Sequence, residues 1–96
     1  MYAVIRTYLG TGAKQLFERL EERKDDIEAT LRTVPGLVSY TLLNTGDGGT
    51  AITVCIDKAG CDASLKVARD WIQKNTSSIR ANPPIVTEGP VLVQIN

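Results

Sequence analysis

The feature that most constrains this chain is the order of its periodicities. Apolar positions alternate, then recur every three or four residues, then alternate in two successive runs, recur again, and alternate a last time. The stretches read strand, helix, strand, strand, helix, strand, and they fill the 96 residues. Two βαβ units, each crossing over right-handed, interleave into a four-stranded antiparallel sheet with two helices on one face. The expected class is α+β, a ferredoxin-like βαββαβ fold, as a single domain over residues 1–96. The expected spatial order is 4-1-3-2, which leaves strands two and four at the edges.

Tyr2 to Leu9 is rich in β-formers (Val4, Ile5, Thr7, Tyr8) and reads as the first strand. Gly10-Thr11-Gly12 ends it, with Thr11 as the expected helix cap. Leu16, Phe17, Leu20, Ile27 and Leu31 keep to one helical face, so the spacing predicts one long amphipathic helix from Ala13 to Val34, stopped by Pro35-Gly36. Leu37 to Asn44 is the second strand and Thr50 to Asp57 the third. The glycine-rich turn between them has no following helix and no lysine in place, so it is a hairpin turn and not a phosphate loop. The second helix is expected from Cys61 to about Ser77, with Leu65, Ala68, Trp71, Ile72 and Asn75 on one side. Ile85 to Ile95 is the fourth strand. Pro90 interrupts it and cannot donate to a ladder, which suits an edge or a bulge.

In the third strand, Ile52, Val54 and Ile56 are the more hydrophobic alternate set and are expected to face the helices. The matching set in the second strand is Val38, Tyr40 and Leu42. The outward set is then Ser39, Thr41, Leu43, Ala51, Thr53 and Cys55, joined by Arg6 and Tyr8 if their strand turns that way. A slip of one residue swaps every face. Only Arg6 and Asp57 bring charge to the outward side, whereas the helices are rich in Lys and Glu. A face so poor in charge calls for cover, and a second copy packed sheet on sheet supplies it. The expected partner is therefore the same chain, in a homodimer whose interface includes Arg6, Tyr8, Thr41 and Thr53. Arg6 on a central strand needs a partner when buried, either a carboxylate across the dimer or an anionic ligand.

Composition narrows the function classes. Eleven basic residues balance eleven acidic ones, so no basic excess points to nucleic acid or to an anionic membrane. No stretch approaches the ~18 apolar residues of a membrane span, and the opening apolar run, broken by Arg6, is too short for a signal peptide. Two cysteines are too few for a disulfide framework, so a reducing cytoplasm is expected. Histidine is absent, which removes Ser-His-Asp and Cys-His chemistry within one chain and the commonest metal ligand. No metal and no cofactor is expected. Cys55 and Cys61 read as inert thiols, although Cys61 near a helix start, where the dipole lowers a thiol pKa, leaves thiol redox chemistry as a distant alternative. Glu88 has no second carboxylate spaced to work with it.

Trp71, the only tryptophan, is either a core anchor or one wall of a ligand cavity beneath the second helix. Tyr40 is the strand aromatic best placed for the same cavity. Asn75, one turn beyond Trp71, is either a hydrogen-bond donor to a ligand or a cap of the helix end.

Four segments carry a family resemblance over essentially the full length. They are Met1-Tyr2-Ala3-Val4-Ile5-Arg6, Val34-Pro35-Gly36-Leu37, Ala68-Arg69-Asp70-Trp71-Ile72, and Pro83-Pro84-Ile85-Val86-Thr87-Glu88-Gly89-Pro90-Val91-Leu92. On these the chain resembles the dimeric α+β barrel proteins, specifically small relatives of the antibiotic biosynthesis monooxygenases. The resemblance implies a homodimer whose two sheets close into a barrel. It also implies oxidation of quinols or polycyclic aromatics by oxygen without metal or bound flavin, in a cavity between sheet and helices. Some members use histidine there, others a Trp and Asn pair. This chain has no histidine; its Asn75 follows Trp71 by one turn, and Val67 stands one turn before. Two readings follow: a cofactor-independent monooxygenase-like enzyme acting on a small aromatic or quinol, or a non-catalytic dimer that binds a small apolar ligand or a protein partner.

Overall fold

A computed structural model describes residues 1–96. The elements are β1 (Tyr2–Tyr8), α1 (Ala13–Glu22), α2 (Lys24–Leu31), β2 (Leu37–Asn44), β3 (Gly49–Cys55), α3 (Lys58–Asn75) and β4 (Ile85–Pro90). The sheet has the order β2-β3-β1-β4, and every pairing is antiparallel. This is the expected order, with β2 and β4 at the edges. β4 ends at Pro90, and the ladder stops there apart from one bond from Val91 N–H to the Met1 carbonyl at 2.9 Å. No helix is long and apolar enough to cross a membrane.

The long helix expected from Ala13 to Val34 is two helices. It breaks at Arg23, whose backbone lies at φ −114°, ψ 23°. The sequence supplies the reason: between Leu20 and Ile27 no residue is apolar, and Lys24 occupies the stripe position one turn after Leu20. That turn has nothing to bury, so helical stability from packing lapses there. α1 buries Ala13, Leu16, Phe17 and Leu20, and α2 buries Ile27 and Leu31. The start of α1 also differs from expectation. Gly12, not Thr11, is its N-cap, at φ 79° with no side-chain bond, and a Cβ there would overlap the Arg80 carbonyl. α3 starts earlier than expected, because Asp57 acts as its cap and not as the last strand residue. Its carboxylate accepts from the Gly60 N–H at 2.8 Å.

The face assignment is corrected in three strands. A register shift between Leu37 and Ser39 leaves Val38 without a partner on β3 and exposed, while Tyr40 and Leu42 face the helices. Tyr40 stands opposite Thr53 and Leu42 opposite Ala51, and directly opposed residues share a face. Ala51, Thr53 and Cys55 are therefore the helix-facing set, not Ile52, Val54 and Ile56. The same register brings Arg6 (opposite Ala51) and Val4 (opposite Thr53) inward, with Tyr8 on the same side. Arg6, Tyr8 and Thr53 thus lie on the helix side of the sheet, whereas Thr41, opposite Ile52, stays outward. The physical reason is space. The layer beneath the helices is tight, and small residues fill it: Ala51, Thr53, Cys55 and Cys61 are all fully buried, and a Cβ at Gly49 would run into the Phe17 ring. Hydrophobicity alone favoured the isoleucines, but packing density decides which set fits.

With Arg6 inside, the outward face carries no charged side chain. Its centre is Ala3, Ile5 and Thr7 on β1 with their β3 partners Val54, Ile52 and Thr50. The main core lies on the other side, where Leu16, Phe17, Leu20, Ile27, Leu31 and Trp71 meet. A smaller cluster of Val4, Cys55 and Cys61 sits under the start of α3.

Candidate functional site

The helices and the sheet enclose a cavity whose walls are mostly aromatic or aliphatic. β1 contributes Arg6 and Tyr8, β2 Tyr40, α1 Phe17, α2 Ile27 and α3 Trp71. Each arrives there for a local reason: the strand residues by pleat alternation, the helix residues by the stripe that also forms the core. The space left inside is about 20 Å³, room for roughly one water molecule. Side chains fill the cavity in this conformation.

Trp71 is 8% exposed, and its indole N–H donates to the Asp26 carboxylate on α2 at 2.6 Å. The ring is thus a cavity wall, and its only polar atom ties α3 to α2. Asn75 lies outside the cavity. Its amide N–H donates to the Trp71 carbonyl at 2.9 Å, its side-chain oxygen accepts from Arg23 at 3.3 Å, and its backbone carbonyl accepts from Arg19 at 3.0 Å. These bonds clasp the end of α3 to the break between α1 and α2. Of the three residues expected to form the cavity, the structure brings together Trp71 and Tyr40 and leaves Asn75 aside.

Arg6 and Tyr8, expected on the outward face, complete the cavity wall instead. Arg6 is 6% exposed. Its Nη1 donates to the Tyr8 hydroxyl at 3.2 Å, and its guanidinium carbon lies 5.9 Å from the centre of the Tyr8 ring. Its Nε is buried without any hydrogen-bond partner. No carboxylate lies within 4 Å of the group, so the charge is unpaired within the chain. Tyr8 in turn packs against Phe17, ring centres 5.7 Å apart. Burial pushes the Tyr40 phenol above the ordinary tyrosine value, and the positive charge of Arg6 pulls the other way without overcoming it. At neutral pH the Tyr40 hydroxyl is a proton donor.

The thiols are remote from this cavity. Both cysteines are free and buried. The Cys61 thiol donates to the Tyr2 carbonyl at 3.2 Å, and burial, with Cys55 close by, pushes its pKa up to about 11. The lowering expected of a thiol near a helix start does not occur, because Cys61 faces the sheet and not the end of the helix. No group of three acidic or cysteine side chains converges anywhere in the chain.

Neither a protein-family model nor a curated protein matches this chain in sequence. Solved structures match it in fold. A protein of unknown function from Nitrosomonas europaea superposes with a TM-score of 0.72 at 16% identity, over 99% of this chain and 91% of the other. A monooxygenase from Streptomyces coelicolor, crystallised with nanaomycin D, gives 0.68 at 16% identity over 99% and 90%. A dimeric ferredoxin-like protein from an uncultured marine organism gives 0.65 at 13% identity over 99% and 95%. Nearly the whole chain is matched each time, at identities that speak for backbone architecture alone. Sheet order, crossovers and these superpositions agree: the chain has the ferredoxin-like α+β fold shared by the antibiotic biosynthesis monooxygenase-like structures.

Proposed function

We propose that this chain is a homodimeric α+β barrel protein that binds a small aromatic ligand between its sheet and its helices. One observation carries the reading: Tyr8, Tyr40 and Trp71, drawn from three different elements, converge with Phe17 on one largely apolar cavity. A ring enters only if a wall gives way. α2 is the wall suited to this, a helix of 8 residues set off from α1 by the break at Arg23 and held to Trp71 through Asp26. The dimer is supported by the uncharged outward face of the sheet and by the dimeric ferredoxin-like neighbour. The two unpaired thiols support a reducing compartment, the cytoplasm.

Binding ranks ahead of catalysis because the three residues expected to serve the cavity are poorly placed for chemistry. The Trp71 N–H is held by Asp26, Asn75 is outside, and the Tyr40 phenol gives up its proton less readily than an ordinary tyrosine. The second reading, a cofactor-independent monooxygenase acting on a quinol, is favoured by the nanaomycin D-bound monooxygenase that superposes on 99% of the chain. One experiment separates the two. The protein is titrated with 1,4-naphthohydroquinone under nitrogen, Trp71 fluorescence reporting occupancy, and oxygen uptake is then followed in air. Saturable quenching with no uptake above the protein-free rate is expected. Uptake that falls in both Trp71→Phe and Tyr40→Phe establishes the enzyme instead, and quenching that never saturates removes the cavity from either reading.

A further inference from the structure

Arg6 borders a second and larger hollow. It shares Arg6, Tyr8 and Ile72 with the central cavity and continues between α3, β4 and the segment 76–84, with a volume of about 480 Å³. Leu65 and Ile72 of α3, Ile79 of the segment and Val86 of β4 give it apolar sides. Arg69 joins Arg6 in its lining, and no lining residue is acidic. Arg69 is exposed and forms no salt bridge. The hollow therefore holds two cations, one buried and one at the surface, with no anion of the chain to balance either.

A guanidinium does not lose its charge at any ordinary pH, so burial cannot be relieved by deprotonation. Buried charges are normally paired, because desolvation otherwise goes uncompensated. Arg6 donates to the Tyr8 hydroxyl and lies near the Tyr8 ring and the Tyr40 phenol, none of them an anion, and its Nε–H has no partner. Nη1 is taken by Tyr8 and Nε is closed to solvent in this conformation, so a carboxylate in the cleft pairs in two parallel bonds only after the guanidinium turns toward it. The volume is in the range of small-molecule sites, and the apolar sides suit a hydrocarbon body.

We propose that this cleft is a binding site for a small organic carboxylate with an aromatic or branched apolar body. The carboxylate is held by Arg6 and Arg69, and the body lies against Leu65, Ile72, Ile79 and Val86. The site adjoins the central cavity, with Arg6, Tyr8 and Ile72 common to both, and is distinguished from it by Arg69, which lines the cleft alone. The ligand restores to Arg6 the partner that the fold withholds.

Calorimetric titration of the intact protein with 1-naphthoate and with its uncharged analogue 1-naphthamide tests this. Naphthoate is expected to bind about tenfold or more tightly than the amide, the scale of a charge-assisted hydrogen bond. Arg69→Gln is expected to cut that preference several-fold, and Arg6→Met to abolish it. Arg69 is on the surface, so its variant decides the matter even if the Arg6 variant fails to fold. Equal affinity for acid and amide in the wild type, or a preference untouched by Arg69→Gln, overturns the proposal. Trp71→Phe separates this site from the central one: it is expected to leave naphthoate binding unchanged while altering that of 1,4-naphthohydroquinone. Naphthoate binding that falls with Trp71→Phe and not with Arg69→Gln puts the acid in the central cavity and also overturns the proposal.

Discussion

Arg6 shows how much depends on the placing of one residue. It sits on a central strand, and its side chain donates one hydrogen bond, accepted by the Tyr8 hydroxyl. Tyr8→Phe leaves the ring and its contact with Phe17 in place and removes only that acceptor. A buried donor left unsatisfied costs about 1–3 kcal/mol, so the variant is expected to unfold at lower urea with an unchanged m-value. A loss under about 0.5 kcal/mol means that the guanidinium finds water or another acceptor in solution. Cys61 makes a second prediction at this scale. Its folded-state pKa is near 11 against 9.0 for the free thiol, so the unfolded chain ionises first as pH rises. The stability that the neutral thiol contributes is present below pH 9 and declines as pH climbs toward 11, because the unfolded state then binds fewer protons than the native one. Urea midpoints measured between pH 8 and pH 11 are expected to fall more steeply in the wild type than in Cys61→Ala; parallel curves remove the thiol from the account.

At the scale of elements, the sequence showed which segments pair and in what order, but not how each begins or which way it faces. The order came from periodicity, a property spread over many residues, and it survived local errors. The faces depended on a single residue of slippage. Tyr40 faces inward, as its alternation predicts, and a hairpin that sets it opposite Thr53 obliges Thr53 to follow. That register is fixed by the turn and by the irregularity at Leu37 to Ser39, neither of which hydrophobicity reveals. Two cavity residues, Arg6 and Tyr8, therefore lie on the opposite side of β1 from the one that hydrophobicity predicts. The helix break at Arg23 had a readable signal, the missing apolar residue between Leu20 and Ile27. Asp57 had one too, an Asp three residues before the glycine whose N–H it caps. Asp57→Ala is expected to destabilise the fold by about 1 kcal/mol through α3, while Asp57→Ser retains most of the cap. Thermal melts of both variants check this, and equal losses mean that the carboxylate matters for some reason other than capping. Asn75, read as a cavity residue, proved to join two elements. In a double-mutant cycle, Asn75→Ala and Arg23→Ala are expected to be non-additive, since the two side chains share a bond at 3.3 Å.

At the scale of the whole molecule, the correction of Arg6 sharpens the case for a dimer. The expectation began from a face with few charges, and the structure leaves it with none. Ile5 and Ile52 stand opposite each other near its middle, and Ile5 is 37% exposed in the single chain. Beyond β4, Leu92, Val93 and Ile95 are almost bare, Leu92 at 94%. Apolar surface left in water costs roughly 25 cal/mol per Å², and a second copy packed face to face removes the exposure of both faces at once. Ile5→Glu discriminates. On a face open to water the exchange is worth less than about 0.5 kcal/mol in either direction, and the protein behaves as before. Against a symmetric partner it sets two carboxylates into an apolar layer near the two-fold axis, where neither finds a counter-charge. Sedimentation velocity at micromolar concentration is therefore expected to show a dimer for the wild type and a folded monomer for Ile5→Glu, with removal of residues 91–96 weakening the dimer by a smaller step. A wild type that sediments as one subunit leaves that bare face and tail without a partner, and the walls of the central cavity are then those of one chain alone.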